Sequence, residues 1–190
     1  VELCRNQHFI ATAPVSLVIC VDYHRMERLI AMEPAPFREP DLFPNLVMGV
    51  WDAAVCAQTM VLCAQAEGLG SCYIGDITEN YEYHKKLLNL PKYVAPAAMV
   101  CFGYPTEQQL RRPKPPRHPV EALVHENGYD MEKSGKMADM LSFQQDKSGE
   151  ALADYIRRFC QRKWNSDFSR EMSRSCSEMA RQWCQSEEDV

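Results

Sequence analysis

LVMGVWDAAVCAQTMVLCAQAE, residues 46–67, is the stretch whose reading decides the fold. Apolar side chains point in nearly every direction around it, and only Asp52, Gln58, Thr59 and Gln65 interrupt them. The spacing predicts one long helix. A helix in water that is apolar all round must be covered all round. One domain of this size rarely surrounds such a helix unaided, so a partner subunit on one side is the first expectation and a central helix within a monomer the alternative.

Working outward, Gly68 and Gly70 end the helix. The first suits a left-handed C-cap and the second a tight reversal into a strand, SCYIGDI (71–77). Upstream, PVSLVICVD (14–22) is rich in β-branched residues and reads as a buried strand. Between Tyr23 and Pro44 the chain turns polar and proline-rich, predicting a loop with at most a short helix. Downstream, TENYEYHKKLLNLP (78–91) predicts an amphipathic helix with Thr78 as N-cap, and PAAMVCFGY (96–104) a third strand.

After that strand LRRPKPPRHP (110–119) must be extended. ALVHENGYD (122–130) suggests a short edge strand and turn, and KSGKMADMLSFQQDKSGE (133–150) a mobile connection. Two helices, about 150–163 and 167–185, finish the chain, with Ser166 as N-cap of the second. On the last helix Phe168, Met172, Cys176, Met179 and Trp183 form one apolar stripe.

Composition narrows the function. At 190 residues one core is expected, and a net charge of -5 argues against a general nucleic-acid binder. Nine cysteines lack CxxC pairs and Cys/His metal spacing, so they read as buried thiols in a reducing compartment. The apolar run Ala13 to Val21 is shorter than the roughly 20 residues of a membrane helix. Neither a signal peptide nor an obvious helix start stands at Val1, so the expectation is a soluble, cytoplasmic protein that binds no membrane.

Five landmarks, in this order and spacing, resemble the nitroreductase family of FMN enzymes. They are FIATAPVSLVICVD (9–22), Asp52-Ala53 with the helix through Gln58, GLGSCYIGDI (68–77), NLPKYVAPAAMVCFGYP (89–105) and PKPPR (113–117). The resemblance covers about Gln7 to Asn127, and RKWNSDFSREMSRS (162–175) looks like a C-terminal extension of some anaerobic bacterial members. A division follows into a family core, 1–130, and a helical extension, 131–190.

The resemblance implies an α+β fold, a mixed sheet flanked by helices, with two subunits packed through their central helices and FMN at the dimer interface. It implies ping-pong transfer of electrons from NADH or NADPH to a nitroaromatic, a quinone or a related small-molecule acceptor, with the flavin doing the redox work. Flavin-dependent dehalogenation or dehydrogenation on the same fold is the closest rival. A non-catalytic dimeric scaffold is the alternative from another class.

Carried over residue by residue, Tyr73, Ile74, Gly75 and Asp76 form the strand past the flavin ring, where the family offers backbone amides to the N5 edge. Gly75, without a Cβ, lets the main chain approach a ring closely, although a plain turn glycine is the alternative. Arg117, with Lys114 or Arg112, resembles the residues that hold the FMN phosphate, against the alternative of a solvated basic loop or a PxxP ligand. Tyr23, Phe37 and Phe43 fall where the family places an acceptor-site lid. His24, Arg25 and Arg28 are better read as a solvated face than as a nicotinamide-phosphate site, and Cys56 and Cys63 as packing rather than redox partners.

The family's N-terminal helix and Arg-x-Ser-x-Arg segment are not among these 190 residues. A fragment, a chain with further residues ahead of Val1 and a natural short form are all compatible with that. Each charge-assisted phosphate contact missing from a site costs about 1.5 to 3 kcal/mol of binding.

Overall fold

A computed structural model describes residues 4–32 and 43–185. Three antiparallel strands form one sheet: β1 (Val15–Asp22), β2 (Gly70–Ile74) and β3 (Val94–Gly103), in the order β1-β3-β2. Strand β3 is central, which explains why it is the most continuously buried. Its Pro96 cannot donate to a ladder, and it sits where that costs least. It lies beyond the stretch paired with β2 and beside the register slip opposite Ile19 and Cys20.

The long helix α3 (Phe43–Ala66, 24 residues) lies on one face of the sheet. It begins three residues before the expected start at Leu46. Its inner edge is small, with Gly49, Ala53 and Ala57 buried beside Leu46, so helix and strands approach closely. Ala57 packs with Val100 and Phe102, backed by Leu17, Ile19, Met60, Val61 and Ala64. At Gly49 a Cβ would collide with Val21 Cγ1. The opposite face carries α1 (His8–Thr12) and a second cluster of Cys4, Ile10, Ile74, Ile77, Met99 and Cys101.

Gly68 takes φ +77, the left-handed C-cap expected of it. Strand β2 stops at Ile74, three residues before the expected strand 71–77 ends and within the flavin-edge stretch 73–76, because Gly75–Thr78 close into a 3-10 turn. Thr78 is not the N-cap of α4 (Tyr81–Leu87): its hydroxyl donates to the Gly75 carbonyl inside that turn at 3.0 Å. Asn80, in the left-handed region, takes the cap position.

Contacts divide the chain into two compact units, 1–105 with 170–190, and 106–169. This division is one of packing and the break after 130 one of resemblance; they fall at different places. The first unit includes most of α10 (Asp167–Cys184), whose Trp183 is buried with Val21, Leu46, Tyr81, Tyr93 and Ala95. The second unit holds α5 (Glu107–Arg111), α6 (Val120–Leu123), α7 (Met131–Gly135), α8 (Met137–Gln145) and α9 (Gly149–Lys163).

Two expectations fail in the second unit. The edge strand at 122–130 is instead the short helix α6 and a turn. The mobile connection at 133–150 is helical: Asp130 caps α7 by accepting from the amides of Glu132 and Lys133, and Met140 buries an apolar face of α8. Ser166 does cap α10, its Oγ accepting from the Ser169 amide at 3.2 Å. In the loop before α3 the short helix is α2 (His24–Ile30). The expectation of buried thiols also needs correction, since only Cys4 and Cys101 are buried and Cys56, Cys63, Cys72 and Cys184 are exposed.

Candidate functional site

Strand β2 delivers the candidate residues to the sheet edge in alternation. Tyr73 turns toward α3 and donates its hydroxyl to Gln58 Oε1 at 3.3 Å, while Ile74 anchors the strand in the core below the sheet. Gly75 opens the turn. A Cβ built there meets nothing within 4 Å, so its side-chain face looks into open space that a planar ligand can occupy. Its φ is not in the left-handed region, so a turn requirement does not explain the glycine.

Asp76 faces inward. Its carboxylate accepts from Gln7 Nε2 at 2.7 Å, and its carbonyl accepts from the Glu79 amide at 3.0 Å. Beneath it Glu79, buried, pairs with Arg5 at 3.1 Å, and the Glu79 carbonyl accepts from His84 Nδ1 at 2.8 Å. Burial pushes the His84 imidazole below its usual range, only partly offset by that carbonyl. The buried Ser175 of α10 completes the frame, accepting from the Tyr81 amide at 2.8 Å and donating to the Thr78 carbonyl at 2.7 Å. Nothing in the residue order announces this network; the only signal is the run of acidic and amide side chains in GDITEN.

Lys114 and Arg117 lie in the extended basic loop of the second unit, as does Arg112. All three are exposed and carry no hydrogen bond or ion pair among the described residues. A pocket of about 470 Å³ is lined by Gln108, Gln109, Arg111 and Arg112. The strand-edge and basic candidates thus belong to different compact units; Tyr73, Gly75, Lys114 and Arg117 are exposed, whereas Ile74 is buried and Asp76 half-buried.

The remaining candidates are engaged locally. His24 pairs with Glu27 at 3.2 Å and Arg25 with Asp22 at 2.8 Å. Tyr23 packs edge-on against Trp183, their ring centroids 5.9 Å apart. Phe43 is exposed at the start of α3, and Phe37 lies outside the described residues. Among the described residues no group of three or more His, Cys, Asp or Glu is placed to hold a metal ion.

The outer face of α3 is the largest anomaly. Trp51, Val55 and Leu62 are 60%, 68% and 58% exposed, in line with Met48, Cys56 and Cys63. By length and composition alone α3 is long and apolar enough to cross a membrane, although its inner edge packs on the sheet.

A family model described as the nitroreductase family matches residues 2–104. The chain is 36% identical over 129 residues to an oxygen-insensitive NADPH nitroreductase of Salmonella typhimurium, covering 68% of this chain and 50% of that protein. It is 32% identical over 131 residues to an FMN reductase [NAD(P)H] of Bacillus subtilis, covering 67% of this chain and 51% of that one. Among solved structures, B. megaterium NfrA2 superposes with a TM-score of 0.69 at 26% identity, covering 95% of this chain and 67% of the other. The chain therefore spans about half the length of the curated relatives it matches.

Proposed function

The chain belongs to the nitroreductase family, and from that premise we propose that it serves an FMN-dependent oxidoreductase. In this reading a cytoplasmic homodimer takes hydride from NADH or NADPH and passes electrons in ping-pong fashion to a nitroaromatic, a quinone or a related acceptor. The observation that carries the proposal is the family match, whose range, residues 2–104, takes in the sheet, α3 and the turn at Gly75.

FMN, when bound, supplies the hydride and electron chemistry, and the protein supplies position and electrostatics. Tyr73, Ile74, Gly75 and Asp76 offer a main-chain edge to the ring system. Tyr73 is tied to α3 through Gln58, and Asp76 is held from behind by Gln7, so that edge is stiff before any ligand arrives. Gly75 leaves the approach clear. Arg117 and Lys114 are the phosphate donors, exposed cations in an extended loop. The bare face of α3 takes a second copy of the chain, since monomers rarely leave such a contiguous apolar surface open.

The test is direct. The purified chain is incubated with FMN, separated from free flavin and examined by absorption spectroscopy with an intact mass on the same sample. A yellow protein, bleached anaerobically by NADH or NADPH and recovered with a quinone or nitroaromatic, is the expected result. A colourless protein of the right mass overturns it in favour of the non-catalytic scaffold. Recovery only with a halogenated substrate points to the rival reaction on the same fold.

A further inference from the structure

The sheet face opposite α3 carries a row of sulfur and oxygen that the proposed chemistry does not use. Ser16 of β1 stands opposite Cys101 of β3, and Cys101 in turn stands opposite Cys72 of β2. The three side chains lie side by side across three strands. Ser16 Oγ and Cys101 Sγ are in hydrogen-bond contact at 3.1 Å. Cys101 is buried at 4% exposure, whereas Cys72, on the edge strand, is open to solvent.

We propose that Cys72 and Cys101 are a redox-modification site, a dithiol that closes into an intramolecular cross-strand disulfide when it meets a small disulfide oxidant. The distance suits it. Directly opposed residues of antiparallel strands have Cα atoms about 4.5 to 5.5 Å apart, inside the roughly 4.4 to 6.8 Å that a disulfide spans. Their side chains leave the sheet on the same face, so no strand has to turn over. Cys56 and Cys63 have no such partner, being seven residues apart on one helix.

The division of exposure assigns the roles. Cys72, as its thiolate, attacks one sulfur of oxidised glutathione; the S–S bond breaks and one glutathione thiolate leaves. Cys101, losing its proton, then attacks the Cys72 sulfur of the mixed disulfide and expels the second glutathione. Two protein thiols lose two electrons and two protons, and one disulfide is reduced to two thiols. Burial and the neighbouring Cys101 both push the Cys72 thiol up, so the first step is slow, over minutes to hours. Ser16 accepts or donates to Cys101 throughout and keeps its sulfur in the row.

The experiment uses the whole chain, fully reduced and then equilibrated in glutathione buffers of increasing oxidation. Free thiols are alkylated, and the intact mass and the cross-linked peptides are read by fragmentation mass spectrometry. The expected product is a monomer-mass chain lighter by about 2 Da before alkylation, with the link assigned to Cys72 and Cys101. Cys72→Ser, an exposed substitution that the fold tolerates, abolishes the link; Cys63→Ser leaves it. Overturning results are a link from Cys101 to Cys4 instead, a Cys72 link between two chains, or both thiols alkylated throughout while glutathione is fully oxidised. None of these outcomes depends on whether the protein binds FMN.

Discussion

Two glycines separate packing from ligand approach. At Gly49 an added methyl group strikes Val21 and crowds Tyr23, so Gly49→Ala is expected to cost about 1 to 3 kcal/mol. At Gly75 the same group enters open space with an ordinary φ, so Gly75→Ala changes the urea midpoint by less than about 0.5 kcal/mol equivalent. On the proposed flavin reading it nonetheless weakens FMN retention, which a flavin titration of the variant measures. Ser175 is a cap delivered from a distant helix: it satisfies the first amide of α4 and the last carbonyl of the 3-10 turn together. Ser175→Ala leaves both unpaired, and a loss on the order of 2 to 4 kcal/mol in chemical denaturation is expected. His84 sets a pH limit. Its folded pKa lies below its unfolded value, so the folded protein resists a proton that the unfolded chain accepts. Its stabilising contribution is therefore complete above about pH 6.5 and is lost as pH falls below that toward the folded value. Denaturation midpoints measured from about pH 7 down to about pH 5 should fall in the native chain and fall less in His84→Gln.

At the scale of the element, α3 has two unlike faces. Its inner edge is made of Gly and Ala where the strands press on it, while its outer face carries Trp, Val and Leu in the open, the face that a second copy covers on the proposed reading. Val55→Glu with Leu62→Glu is expected to leave the helical circular dichroism unchanged while converting a dimer to a monomer in sedimentation. A native chain that sediments as a monomer, at concentrations where it stays folded, would remove the homodimer from the proposal. The same helix shows what the residue order makes legible. Periodicity and β-branching, which depend on neighbours in sequence, recover α3, the three strands, α9 and α10. The glycine C-cap at Gly68 and the cap at Ser166 are legible for the same reason, each needing only local chemistry. The Thr78 cap fails because α4 starts only at Tyr81, after Asn80, and its first amide is satisfied by Ser175, 94 residues further along the chain. The helices α7 and α8 are missed because their polar residues mask a single buried anchor, Met140. Of the candidate site, Tyr73 to Asp76 are read as one strand from their order. The inward turn of Asp76 depends on Gln7, 69 residues before it, and no local pattern encodes it.

Across the whole first unit, the fold closes by bringing its last helix back to its first strand. Trp183 meets Tyr23 and Tyr93 edge-on, with centroids 5.9 and 5.7 Å away, over a floor of Val21, Leu46 and Ala95. Tyr93 holds a left-handed φ of +59, rare for an aromatic residue; its carbonyl accepts from the Tyr23 amide at 2.9 Å, and that bond and the Trp183 ring keep it there. Outside this knot α10 is fastened at the surface by Arg174, which bonds Glu82 at 2.7 and 2.9 Å while also gripping Glu171 on its own helix. That exposed fork holds the Glu82 carboxyl below its usual range but is screened by water, so the buried ring is the stronger attachment. The indole contributes area rather than a hydrogen bond, because its Nε1 is buried with no acceptor among the described residues. Two substitutions then part company. Trp183→Ala empties the knot, and a loss of about 3 to 5 kcal/mol is expected, with Tyr23 and Tyr93 both left facing a cavity. Trp183→Phe keeps an aromatic edge and removes a donor whose burial costs about 1 to 3 kcal/mol, which offsets the lost volume and brings the net change to within about 1 kcal/mol. Chemical denaturation of the pair decides the matter: a Phe variant as damaged as the Ala variant would mean that the indole nitrogen has a partner and that α10 is held by a bond, not by packing.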